Sequence, residues 1–114
     1  MKSLRVETEK LLDGATVTGS GRAIALSGPQ HTFQAYGITS AGSGSAVVDI
    51  EVSSVELPTS NSDWILAGTI TLTLGTTATA DGFVINAPWK WVRAKVNTLT
   101  GTGASVTAWK GTPK

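Results

Sequence analysis

Apolar and polar residues alternate along most of this chain with a period of two. From Ser45 to Ser54, Ala46, Val48, Ile50 and Val52 fall on one side, and Asp49, Glu51 and Ser53 on the other. From Trp64 to Leu74, Trp64, Leu66, Ile70 and Leu72 alternate with Ala67, Thr69, Thr71 and Thr73. From Lys90 to Val96, Val92, Ala94 and Val96 point one way, and Trp91, Arg93 and Lys95 the other. Such alternation marks strands buried on one face, and the dominance of Thr, Val and Ile suits a pleated sheet. Weaker strands are expected near Arg22–Ser27, Thr32–Thr39, Gly82–Asn86 and Ala104–Trp109. Turn residues punctuate them at Ser27–Pro29, Ala41–Gly44, Pro58–Asp63, Gly75–Asp81 and Thr100–Gly103. The pattern predicts an all-β fold: a two-layer antiparallel β-sandwich, jelly-roll or immunoglobulin-like, of seven or eight short strands. Ile50, Trp64, Ile70, Val92 and Val96 are its expected core.

The N-terminal stretch fits less well. Val6 to Asp13 is rich in helix formers, although a helix of one or two turns is marginal alone. Residues 1–20 therefore read as an N-terminal arm or first strand, and residues 21–114 as the sandwich domain. Leu4, Val6, Leu11 and Leu12 are too few to form an independent core, so the arm is expected to order against a neighbouring chain.

Composition narrows the function classes. The length of 114 residues suits one domain that folds without staples. There is no Cys, and the single His31 reads as a surface or turn residue, so neither a disulfide nor a conventional metal site is expected. The N-terminus lacks an apolar signal-like run and no stretch is long enough to span a bilayer, so a soluble protein is expected. A net charge of +1 argues against a general nucleic-acid partner. That total hides an asymmetry: all eight acids lie at or before Asp81, whereas Lys90, Arg93, Lys95, Lys110 and Lys114 follow it.

No reaction centre emerges. No Ser lies in a G-x-S-x-G elbow, and Gly101–Ser105 lacks the Lys-Ser/Thr ending of a phosphate loop. Asp49 and Glu51 share a strand face, which reads as a solvated edge in the absence of a second chemical group. The aromatics carry more information. Trp91 shares parity with Arg93 and Lys95, Trp89 stands just before them, and Trp109 shares parity with Ser105 and Thr107. Trp89, Trp91, Arg93, Lys95 and Trp109 are thus the candidate partner-binding residues, because exposed Trp and Arg are typical anchors of protein contacts. The alternatives are a sugar-stacking surface, or a Trp91 that merely covers the second face of the sandwich.

The segments Asp63-Trp64, Leu66–Leu72, Ala87–Ala94 and Thr100–Val106 together resemble a recurring pattern in small β-sandwich structural proteins of tailed bacteriophages. The resemblance covers about the C-terminal half. It implies a non-enzymatic virion protein, most of all a capsid decoration or cement protein that is made in the host cytoplasm and sits on the capsid exterior. Its expected partners are the major capsid protein or another virion protein, with homo-oligomerisation. No cofactor, nucleic acid or membrane is implied. A carbohydrate-binding sandwich, free or on a tail appendage, is the alternative, with a glycan as partner.

Overall fold

A computed structural model describes residues 6–26, 30–85 and 89–113. Nine strands occupy most of them: β1 (Val6–Ala15), β2 (Gly19–Ser20), β3 (Ile24–Ala25), β4 (His31–Ile38), β5 (Ala41–Ser53), β6 (Ile65–Leu74), β7 (Thr79–Ile85), β8 (Trp91–Thr102) and β9 (Ser105–Pro113). A 3-10 turn, Asn61–Asp63, interrupts the β5–β6 connection.

The pairing is nested. β5 pairs with β6, β4 with β7, β2 and β3 with β8, and β1 with β9, all antiparallel. The chain is thus one long hairpin, doubled back between β5 and β6 and then rolled up. Two further pairings, β4 with β9 and β5 with β8, close the roll. The outcome is a first sheet ordered β1-β9-β4-β7 and a second ordered β2-β8-β5-β6, with β3 also on β8. That is jelly-roll order, which decides between the two topologies left open by the strand pattern. The sandwich is a slab of 44 × 40 × 17 Å.

Between the sheets, β5 places Ala46, Val48, Ile50 and Val52, β8 places Val92, Ala94 and Val96, and β6 places Ile70, Leu72 and Leu74. They face Phe33 and Ala35 of β4, Val106 and Ala108 of β9, and Leu11 and Leu12 of β1. The alternation read from the sequence holds from Ala46 to Val52 in β5 and for Val92, Ala94 and Val96, whereas Ser53, expected on the outer side, is buried.

It fails where the ladder slips. β1 is a strand and not a helix. Its pairing to β9 jumps from Lys10↔Trp109 to Leu12↔Ala108, so Leu11 is an extra, bulged residue. The bulge allows two adjacent leucines to be buried in this chain's own core, which no unbroken strand permits. In β6 the register passes from Ile50↔Gly68 to Glu51↔Leu66, leaving Ala67 as the extra residue. Parity inverts there, and Leu66, expected inward, lies on the outer face with Glu51 and is exposed. Trp64, expected in the core, precedes the strand as the C-terminal cap of the 3-10 turn and is only half-buried.

His31 also differs from expectation. It opens β4 on the inward parity shared with Phe33 and Ala35, and is buried. Three stretches expected as turns are partly or wholly strand as well: Ala41–Gly44 begins β5, Thr79–Asp81 begins β7 by pairing with Gly37, Tyr36 and Ala35, and Thr100–Thr102 ends β8.

Candidate functional site

The sandwich has two outer faces, and the candidate residues divide between them. On the second sheet, Trp91, Arg93 and Lys95 of β8 stand outward, opposite Ser53, Glu51 and Asp49 of β5. Arg93 is the hub. Its Nε donates to Glu51 Oε1 at 2.7 Å and its Nη2 donates to Asn61 Oδ1 at 3.1 Å. Its guanidinium carbon lies 4.5 Å from the centroid of the Trp64 ring. Next to it, Trp91 Nε1 donates to the Glu56 carbonyl at 3.1 Å. These contacts fold the connection between β5 and β6, residues 54–64, back over the outer face of the sheet.

The turn inside that connection is self-capped. The Ser60 hydroxyl accepts from Ser62 N–H, and Asp63 Oδ2 accepts from the backbone N–H groups of Ser60 and Thr59 at 3.0 and 2.9 Å. Those donors, Ser60 first, hold the Asp63 carboxyl below its ordinary value by favouring its charged form. The loop is therefore pinned at both levels, by its own cap and by Arg93.

What the pinned loop presents is apolar. Val55 and Leu57 on the loop are 43 and 73 % exposed, and Leu66, on the outer face where β6 begins, is 57 % exposed; Ile65, 55 % exposed, stands opposite the inward Val52 and so on the other side of β6. The sequence pattern missed this group, because Val55 and Leu57 lie outside any strand and Leu66 was assigned inward. The run of apolar residues on both sides of a polar turn was its only signal.

Trp89 does not join this face. It precedes β8 and packs half-buried against the core cluster, where strand alternation does not apply. Nor is the face a basic surface. Five of the eight acids, Glu7, Glu9, Asp13, Asp49 and Glu51, lie on β1 and β5, which pair with the strands carrying Arg93, Lys95 and Lys110. Glu51 meets Arg93, Glu9 approaches Lys110 at 3.7 Å, and Asp49 stands opposite Lys95. Asp49 is itself engaged, accepting from Thr69 and Asn97, each at 3.0 Å. Rolling the hairpin interleaves the charges that the linear sequence separates.

Trp109 lies on the other side of the molecule, on the outer face of the first sheet. The ladder sets it in the cross-strand row Lys10, Trp109, Gln34, Gly82, beside a second row Thr8, Gly111, Thr32, Val84. Lys10 Nζ lies 5.0 Å from the Trp109 ring centroid and 3.2 Å from Asp13 Oδ1. Gly82 and Gly111 carry no side chain, and the rows open into two shallow hollows. One, of about 330 Å³, is lined by Thr8, Gln34, Tyr36 and Trp109. The other, of about 420 Å³, lies around Gln34, Asp81, Gly82 and Val84.

Glu51 is ion-paired, and among the described residues no three His, Cys, Asp or Glu side chains group to hold a metal ion. What the faces offer is stacking, hydrogen bonding and apolar contact.

No family model and no curated protein matches the sequence. Among solved structures, the chain is similar to the crystal structure of the SPBc2 prophage-derived protein YomS, with a TM-score of 0.64 over 100 % of this chain and 97 % of that one, at 13 % sequence identity. At that identity the likeness is one of fold: both chains wind the same kind of β-sandwich from end to end.

Proposed function

We propose that this chain is a non-enzymatic structural protein of a phage virion, a capsid decoration or cement protein that staples neighbouring coat subunits from outside. The observation that carries the proposal is the apolar end formed by Val55 and Leu57, on a loop that Arg93 and the Ser60 cap hold in place, with Leu66 on the outer face at the adjoining start of β6. Large apolar side chains gathered on a soluble surface mark an interaction site, and a pre-ordered loop loses little entropy on docking. The resemblance of the C-terminal half to phage structural proteins and the prophage origin of the structural neighbour support the virion setting. The slab shape suits a protein lying on a larger surface. Each copy need bind only modestly, because repetition around a shell multiplies the effect of each contact.

In this reading Trp91 and Arg93 are the scaffold of the contact surface, and Leu57 and Leu66 its anchors. The double variant Leu57→Ser/Leu66→Ser tests it, since both residues are exposed and their loss leaves the core intact. Shells of the parent phage stripped of this chain should bind the purified parent protein in co-sedimentation. The variant should lose about tenfold or more in affinity, equivalent to about 1.4 kcal/mol, with an unchanged melting temperature. A folded variant that decorates shells at parental affinity ends the proposal.

A further inference from the structure

We infer that the outer face of the first sheet is a second, independent binding site, whose ligand is an uncharged carbohydrate chain running across Trp109 and Gln34. This goes beyond the shell-binding role and uses the opposite side of the slab. A sugar ring has an apolar C–H face and a rim of hydroxyls that both donate and accept. Its complement is an aromatic plane bordered by groups of the same dual character. The face supplies these side by side. Trp109 and Tyr36 give aromatic surface, Thr8 and Thr32 give hydroxyls, and the Gln34 amide offers both donors and an acceptor.

The arrangement is a row of two compartments. Gln34 stands directly across the ladder from Trp109 on one side and from Gly82 on the other, and it lines both hollows. A ligand with repeating units places one unit on either side of that amide. Gly82 has a structural reason to be there: a methyl group at this position would run into the Phe33 carbonyl oxygen. The resulting lack of a side chain opens the second compartment.

Charge selects against the alternatives. Of the residues lining the two hollows only Asp81 carries a charge at neutral pH, so a polyanion such as a nucleic acid or acidic glycan meets a carboxylate and no cation within them. Lys10 does reach over the Trp109 ring, but it is partly exposed and tied only to the exposed Asp13. Such a surface pair is weak enough to yield to a ligand. A protein partner is less well matched, because hollows over glycines receive a projecting ligand and offer no projecting anchor of their own.

The test is titration of the full-length, isotope-labelled chain with maltohexaose, cellohexaose and chitohexaose, followed by amide and indole NMR signals. At least one hexamer should produce saturable shifts centred on the Trp109 indole and the Gln34 side-chain amide, with a Kd in the range of about 0.1–5 mM. Trp109→Ala should weaken binding by about tenfold or more, and Gln34→Ala by about threefold or more. The Leu57→Ser/Leu66→Ser variant should bind as the parent does, so failure of the shell-binding reading does not touch this one. If Trp109→Ala loses its native spectrum, Gln34→Ala and Tyr36→Ala decide. The inference is overturned by an absence of shifts with all three hexamers at about 10 mM, by shifts centred on Trp64 or Trp91, or by parental affinity in the folded variants.

Discussion

Arg93 shows how one side chain joins parts of the fold that lie far apart in sequence. It binds Glu51 on the neighbouring strand, Asn61 in the 3-10 turn and the Trp64 ring, while its side chain remains only 13 % exposed. The planar fork of guanidinium is what makes three contacts possible at once. Arg93→Lys keeps the charge and the Glu51 pairing but loses the fork and the stacking, so it should cost about 1–3 kcal/mol, measured by urea denaturation. The Trp64 environment in near-ultraviolet circular dichroism should change with it. Much of this scale was legible beforehand: the outward parity of Trp91, Arg93 and Lys95 follows directly from the inward Val92, Ala94 and Val96. The partners of Arg93 were not, because the β5–β8 pairing and the folded-back loop are tertiary facts that leave no local mark.

At the scale of elements, bulges account for the main departures from the strand pattern. A period of two is a property of an unbroken ladder, and one extra residue inverts it. That is why Leu66 changed sides at Ala67, and why the adjacent Leu11 and Leu12 break the alternation of β1. The glycine next to the β6 bulge has its own role. The Phe83 ring of β7 sits directly on Gly68, and a methyl group there would come within 2.5 Å of the ring. Gly68→Ala should force Phe83 off its place beside Phe33, where the ring centroids lie 5.6 Å apart, and destabilise the domain by about 1–3 kcal/mol. Thermal or chemical denaturation of the variant checks this. β1 is equally integral. A chain lacking residues 1–15 would lose Leu11 and Leu12 from the core and bare the edge of β9. Such a truncation should give no cooperative melting transition and should aggregate. A folded, monomeric truncation in size-exclusion chromatography would show the strand to be dispensable.

At the scale of the whole molecule, the all-β sandwich was visible in the sequence, whereas the arrangement of its strands was not. Alternation says that a strand has one buried face. It does not say which strand lies beside it, and only the nested pairing separates a jelly roll from an immunoglobulin-like sandwich. The same blindness explains the site. The five candidate residues all lie in the last third of the chain, yet β8 and β9 belong to different sheets, so Trp91 and Trp109 look out from opposite sides of the slab. Charge followed suit, since a run of cations in sequence became a set of cross-strand pairs in space.

Nesting also fixes how the molecule responds to mechanical load. Val6 stands directly opposite Pro113 at the outer end of the rolled hairpin, whereas residue 40, between β4 and β5, lies at the far end of the same sheet, next to the Ile38↔Ser105 pair. Because ladder hydrogen bonds run perpendicular to the strands, tension applied between handles at residues 6 and 113 loads the β1–β9 bonds one pair at a time and peels them like a zipper. Tension between residues 6 and 40 instead pulls lengthwise along the strands of the first sheet and strains many bonds together. In single-molecule pulling, the first geometry should yield at markedly lower force and in successive small steps, the second at high force in one rupture. A protein with this architecture would resist forces that drag along its strands far better than forces that pry β1 and β9 apart at their free ends.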